Sequence, residues 1–205
     1  SIGGNSANIA LTNVSKVFSN NGGFAVLKND GSVISWGLLP ASASVELSLI
    51  DVKEVYSSDY AFAALKKDGT VITWGSTDHG GDSSSITLND VTRIYSTTSA
   101  FAALKNDGSV VTWGKANKGG NSNEIPLENV QEIYSTSSNF AALKADNSVI
   151  IWGADISSDT QPVVVENVNQ VFSNSFAFAF LKTDNSIETW GHNNYGGLSD
   201  GIALN

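Results

Sequence analysis

Phe-Ala-Ala-Leu-Lys-Asn-Asp-Gly-Ser-Val-Val-Thr-Trp-Gly, residues 101–114, decides the fold of this 205-residue chain. An apolar, Ala-rich run ends at Lys105, Asp107-Gly108 interrupts it, and a β-branched run closes on Trp113-Gly114. Asp-Gly between two β-prone runs is the strongest short-range hairpin signal, and a two-residue type I′ turn with positive φ at both central positions is expected there. The same pattern begins at Phe24, Phe62, Phe140 and Phe178. Asp30-Gly31 and Asp68-Gly69 repeat the turn, while Asp146-Asn147 and Asp184-Asn185 use Asn, the next residue most tolerant of that backbone. Trp36, Trp74, Trp113, Trp152 and Trp190 mark equivalent positions in five units of about forty residues that run from end to end of 1–205, without an internal linker, as a single repeat domain.

Each unit reads as antiparallel β. Val91 to Thr97 is short and β-branched, as are its counterparts starting at Val14, Val52, Val130 and Val168. Phe101 to Lys105 and Ser109 to Trp113 supply two further strands, and a weaker fourth is expected near Ile125 to Leu127, Ile86 to Leu88 and Val163 to Val165. Helical periodicity is absent. An array of four-stranded antiparallel units of this length predicts an all-β protein, a β-propeller of five blades. A parallel β-helix has no place for five tight hairpins. The Ala-rich second strand suits sheets that stack closely.

Composition narrows the function. The chain carries 20 acidic and 11 basic residues, a net charge of −9, with only 15% charged residues. It has no basic stripe to neutralise phosphates, so nucleic acid is not an expected partner. No apolar run is long enough for a membrane span. Without cysteine there is no disulfide, thiol nucleophile or Cys-based zinc site. A chain that starts at Ser1 and holds no Met reads as a processed chain or as a domain cut from something longer.

The repeated motif, an apolar residue then Ala-Leu-Lys-x-Asp-Gly-x-Val-x-x-Trp-Gly, resembles the regulator-of-chromosome-condensation repeat, over nearly the whole chain. In repeat length it is most similar to the short-repeat form of beta-lactamase inhibitory protein II. The resemblance implies a propeller and leaves the function open, since the superfamily includes a nucleotide-exchange factor, a secreted enzyme inhibitor and domains of bacterial surface proteins. Its rings usually have about seven blades, so a fragment of a larger seven-bladed ring is the alternative to a five-bladed one. The segments 3–11 and 196–204 both match the fourth-strand stretch, which leads us to expect a closed five-bladed monomer with one redundant terminus.

Differences between the copies mark the candidate site. Residues common to all five, the Trp-Gly pair and the Lys that precedes each hairpin, read as packing and as edge charges that discourage sheet association. Variation concentrates in the loop between first and second strands (20–23, 58–61, 97–100, 136–139, 174–177) and in the loop after Trp-Gly (38–40, 76–79, 115–118, 154–157, 192–195). Strand alternation brings both loop sets to one face of the disc, where scaffolds present function. Candidate ligand-binding residues there are Asp59, Tyr60, Asp78, His79, Ser99, Lys115, Ser138, Phe176, His192, Asn194 and Tyr195. The resemblance places the inhibitor's aromatic anchors at Gly22, Tyr60, Ser99, Ser138 and Phe176, of which only Tyr60 and Phe176 are aromatic.

No Gly-x-Ser-x-Gly or His-Glu-x-x-His motif occurs, and the two histidines occupy different places in their repeats. Asn13-Val14-Ser15 is a glycosylation sequon by pattern alone. The expectation is a non-catalytic recognition module of a secreted or surface bacterial protein, needing neither cofactor nor metal, that binds protein, peptide or glycan through the variable face. An enzyme inhibitor is the alternative. A hydrolase or lyase using acidic side chains at the central channel is a third reading.

Overall fold

Alternating β-branched and aromatic residues build the strands of the computed structural model, which describes residues 9–37, 49–154 and 162–197. Five antiparallel sheets follow one another along the chain. The first holds β1 (Val14–Ser19), β2 (Gly23–Lys28) and β3 (Val33–Gly37); the second β4 (Val52–Ser57), β5 (Ala61–Lys66) and β6 (Val71–Gly75). The third holds β7 (Val91–Ser96), β8 (Ala100–Lys105) and β9 (Val110–Gly114). The fourth adds β13 (Val163–Val165) to β10 (Val130–Ser135), β11 (Asn139–Lys144) and β12 (Val149–Gly153). The fifth is β14 (Val168–Ser173), β15 (Ala177–Lys182) and β16 (Ile187–Gly191). The β-propeller expected from the sequence is the fold.

The core lies between sheets. Side chains alternate across β8, so Ala100, Ala102 and Leu104 face one neighbour while Phe101 and Ala103 face the other. The first set packs on Ile133, Phe140 and Trp152 of the fourth sheet, and the second receives Ala61, Ala63 and Leu65 of the second. Alanine in the middle strand lets large residues of the adjoining sheet fill the seam at interior packing density. Within each sheet the Phe of the second strand pairs with the Trp of the third, with ring centroids 5.2 Å apart for Phe101 and Trp113.

Backbone hydrogen bonds tie each sheet to the next. The first residue of each following β-strand donates to the preceding hairpin: Val52 to Gly31, Val91 to Gly69, Val130 to Gly108 and Val168 to Asn147, at 2.8–3.0 Å. The residue just before each sheet, Asn13, Asp51, Asp90, Asn129 and Asn167, is left-handed with φ between 56° and 58°, a conformation Asn and Asp tolerate best.

Two details differ from the sequence expectation. The hairpin is not a two-residue type I′ turn. Among its residues only the Gly or Asn is left-handed, as at Gly108 (φ 79°) and Asn147 (φ 66°), while the Asp is not. Gly108 N–H donates to Lys105 and Lys105 N–H to Ser109, so the loop is a three-residue turn ending in a left-handed bulge residue. The Asp side chain holds it: Asp107 accepts from the Ser109 amide and hydroxyl at 2.9 and 2.6 Å. Among the described residues a fourth strand forms only at Val163–Val165, which pairs with β12. Ahead of 86–88 and 125–127 the chain makes a short 3-10 turn (Thr77–His79, Ala116–Lys118) and a Thr–Ser hydroxyl contact (Thr73–Ser83, Thr112–Ser122), then lays Leu88 and Leu127 into the seam instead of pairing. Pro126 also lacks the N–H a strand there would need. The loop at 38–40, residues 155–157, and the terminal segments 1–8 and 198–205 lie outside the described residues.

Candidate functional site

The site grows from three successive positions in each loop between first and second strands. The first position is Asn20, Ser58, Thr97, Thr136 or Asn174, and its side-chain oxygen accepts backbone amides two or three residues on. The same side chains also reach the neighbouring loop: Ser58 donates to His79 carbonyl at 2.7 Å, Thr97 to Lys118 carbonyl at 2.9 Å, and Asn174 to Tyr195 carbonyl at 3.0 Å. The two variable loop sets are thereby brought together. The second position links repeats, with Asn21 N–H donating to Asp59, Asp59 to Thr98, Thr98 to Ser137 and Ser137 to Ser175, each at 2.9–3.1 Å.

These five loops and the ends of the first strands enclose a mouth of about 400 Å³, lined by all five repeats. Its walls are hydroxyl and amide groups, with Asp59 the single carboxylate. Of the lining residues only Asp59 is among the candidate ligand contacts named from the sequence, although ten of the fourteen fall in the variable loops between first and second strands. The signal available was the spacing: Asn20, Ser58, Thr97, Thr136 and Asn174 recur with the period of the tryptophans, although their identities vary.

The third position carries the difference between repeats. Tyr60 is exposed and meets His79 edge-on, centroids 4.9 Å apart. Phe176 is exposed and stacks on exposed Tyr195 at 4.4 Å, with His192 edge-on to Tyr195 at 5.0 Å. Ser138 is half-buried and accepts from Lys118 Nζ at 2.6 Å. Ser99 departs from the expectation of a ligand contact. It is buried, because the turn from Thr97 to Ala100 folds over it and its carbonyl accepts the Lys115 amide. Lys115 and Asp78 are exposed on the same loops. Asn194 is exposed, and its amide donates to His192 Nδ1 at 3.3 Å. His79 Nδ1 is likewise engaged within its loop, 3.1 Å from Ser76 Oγ.

Gly80 and Gly119 connect this face to the core. Their carbonyls accept the indole N–H of Trp113 (2.9 Å) and Trp152 (3.1 Å) in the following sheet. Both are left-handed, and a Cβ on Gly119 would sit 2.5 Å from the Phe140 ring.

No family model and no curated protein sequence matches the chain. Solved structures do. Human WBSCR16 matches over 83% of the chain with a TM-score of 0.56 at 14% identity. The structure of Kap60 bound to yeast RCC1 (Prp20) matches over 83% with 0.54 at 18%, and the CRINKLY WD40 ectodomain of the Arabidopsis thaliana receptor kinase ACR4 over 82% with 0.55 at 21%. The chain shares the propeller fold of these structures. At these identities the likeness is one of fold. The chain spans 59%, 54% and 62% of the length of those three chains. No helix among its described residues is long and apolar enough to cross a membrane.

Proposed function

We propose that this chain is a non-catalytic recognition module, one repeat domain over residues 1–205, that binds a protein or peptide through the loop face around the axial mouth. The observation that carries the reading is the coupling of two exposed aromatic groups, Tyr60 with His79 and Phe176 with Tyr195 and His192, to a rigid ring of loops. Preorganised loops lower the ordering cost of association, and aromatic anchors beside polar groups are what protein recognition surfaces use. Charge on the face is divided, with Asp59 and Asp78 on the second repeat and Lys115 and Lys118 on the third. The fold neighbours support a binding role: yeast RCC1 (Prp20) is bound by Kap60, and Prp20p from Saccharomyces cerevisiae binds Gsp1p and histones.

Both histidines turn their Nδ1 atoms to their own loops, where they hold loop shape. The mouth offers hydroxyls and amides in place of a facing pair of carboxylates, which supports binding over acid–base chemistry. Its hydroxyl-rich lining, with one carboxylate at Asp59, beside a stacked aromatic pair favours a glycan as the second reading. The acidic, cysteine-free composition fits a secreted or surface bacterial protein. Inhibition of a beta-lactamase would rest on Tyr60 and Phe176 alone.

Peptide and glycan arrays, with a panel of serine beta-lactamases alongside, test the proposal. For the ligand selected, Tyr60→Ala and Phe176→Ala should each weaken binding about thirtyfold, the loss of roughly 2 kcal/mol typical of an anchor. Lys66→Ala and Lys105→Ala, beside the hairpins, should leave it unchanged. Equal losses from both sets would overturn the face assignment.

A further inference from the structure

The donors of the axial mouth are spent inside the protein, and what remains for a ligand is mostly acceptors. At the first loop position every backbone N–H closes its own turn: Asn20 donates to Gly23, Ser58 to Ala61, Thr97 to Ala100, Thr136 to Asn139 and Asn174 to Ala177. At the second position the N–H groups of Asn21, Asp59, Thr98 and Ser137 go to the carbonyl of the next repeat. Side chains do the same, with Ser58, Thr97 and Asn174 donating to carbonyls of the adjoining loops. The Thr98 hydroxyl donates to the Ser137 carbonyl at 2.8 Å and the Ser57 hydroxyl to the Ser19 carbonyl at 3.3 Å. A hydroxyl has a single hydrogen beside its lone pairs, so with that hydrogen committed Thr98 and Ser57 can only accept.

Asp59 adds charge to these acceptors. It is half-buried, and its backbone is fixed on both sides by the links to Asn21 and Thr98. Its carboxylate has no hydrogen-bond or ion-pair partner among the described residues, whose ion pairs engage Asp51, Glu54, Asp68, Glu132 and Glu188 instead. A fixed carboxylate beside acceptor oxygens, on a chain of net charge −9, calls for a ligand that is cationic and rich in donors. A neutral sugar brings acceptors as well as donors and leaves the charge unanswered. Calcium takes about six to eight oxygens and favours several carboxylates, where the mouth has one. A guanidinium gains from stacking on an aromatic face, and no aromatic ring is among the described residues lining the mouth. A primary ammonium is a compact charge that only donates. It fits.

We propose that the mouth is a primary-ammonium site that takes a lysine side chain or an amino terminus of the bound peptide, with Asp59 as counter-ion and the Thr98 and Ser57 oxygens as acceptors. The site rests on the peptide-recognition reading above and names the group that enters the mouth, while Tyr60 and Phe176 hold the rest of the ligand outside it. Because the acceptors sit on loops already linked from repeat to repeat, little ordering accompanies binding.

Titration of the isotope-labelled chain with n-butylammonium chloride at constant ionic strength, followed by amide NMR spectra, tests the site. Amides at 57–59, 97–98 and 136–137 should shift together and saturate. Asp59→Asn should weaken the response roughly tenfold, as expected for loss of a charged hydrogen-bond partner. Asp90→Asn, the same change of charge on the hairpin side, should leave it unchanged. n-Butanol, n-butylguanidinium chloride and calcium chloride represent the competing chemistries, and each should bind more weakly at these amides. Equal or tighter binding by any of them would overturn the proposal, as would butylammonium shifts that fail to saturate or that survive Asp59→Asn. For a peptide selected on the arrays, acetylating the lysines and the amino terminus separately identifies the source of the ammonium; unchanged binding with both blocked would also overturn it. The two readings fail separately. Tyr60→Ala and Phe176→Ala should weaken the peptide and leave butylammonium unaffected, so a peptide indifferent to both aromatics would remove the anchors while the mouth site stands.

Discussion

Trp152→Ala should be among the most destabilising single changes in this protein, and Trp36→Ala much milder. Trp152 is 2% exposed, lies 5.3 Å from the Phe140 ring and donates to the Gly119 carbonyl at 3.1 Å. Truncation removes the hydrogen bond, roughly 0.5–1.5 kcal/mol, and the aromatic pairing, roughly 0.5–1.5 kcal/mol beyond area burial. With the lost burial and the cavity left in the seam, the sum falls in the range of about 3–5 kcal/mol seen for core Trp. For a chain of this size that lowers the thermal midpoint by roughly 6–20 °C. Trp36 stacks on Phe24 at 5.4 Å but is half-buried and has no indole acceptor among the described residues. Its truncation should cost about 1–2 kcal/mol, the loss of a partly buried apolar side chain. Thermal and urea unfolding followed by circular dichroism, at a concentration where the chain is monomeric, measure both. Equal losses at the two positions, or a loss under about 1 kcal/mol at Trp152, would refute a stability carried by seams between sheets.

Gly119→Ala should destabilise more than Gly196→Ala. Both residues are left-handed (φ +91° and +94°), which costs an L-residue about 1–2 kcal/mol, but only at Gly119 does the new Cβ strike a ring, adding roughly 1–3 kcal/mol of overpacking; equal shifts in urea midpoint would contradict this. The carboxylates of Asp30, Asp68, Asp107, Asp146 and Asp184 are held below the usual carboxylate range, chiefly by the hydroxyl and then the amide of the residue two positions on. A depressed folded pKa stabilises at pH above the unfolded carboxylate value, and that stabilisation is lost as pH falls through the folded value. Melting temperatures recorded from neutral to acid pH should therefore fall below the usual carboxylate range, less steeply in a variant with all five Asp changed to Asn; an identical acid slope would assign the loss to other carboxylates. The Tyr95 hydroxyl, half-buried and hydrogen-bonded to Glu132, is pushed up to about 12 and should titrate by ultraviolet absorbance well above the usual tyrosine range; titration of all tyrosines within that range would mean that the link between the third and fourth sheets is open in solution.

The strands, the hairpins and the packing role of the tryptophans were legible because they depend on local signals repeated five times: Asp-Gly or Asp-Asn, alternating apolar residues, and Trp-Gly. Turn class was not, because Asp-Gly serves both a two-residue turn and a three-residue turn with a left-handed Gly. The choice was made by the hydroxyl of Ser32, Thr70 or Ser109, which fastens the Asp side chain two residues back. The fourth strand failed at Ile86 to Leu88 and Ile125 to Leu127 because apolar residues there serve the seam, and a seam residue and a paired strand residue look alike in sequence. At the candidate site, Tyr60 and Phe176 stood out as departures from a repeated pattern. Ser99 and Ser138 occupy the same register, yet burial of one and a lysine contact to the other depend on the neighbouring loop, which a single repeat does not reveal. The loops that line the hydroxyl-rich mouth were legible as the variable face, but the mouth itself was not, because its residues look ordinary one at a time and acquire meaning only when five repeats place them around one axis.

The central claim is that the linked loops around that mouth form the recognition face. Hydrogen-exchange protection of the chain with and without the peptide or glycan selected from the arrays tests it directly. Binding should slow exchange at 20–22, 58–60, 97–99, 136–138 and 174–176 and in the 76–79 and 192–195 loops, leaving the hairpins at 29–32, 67–70 and 106–109 unchanged. Protection concentrated at the hairpins, with the loop ring unaffected, would contradict it.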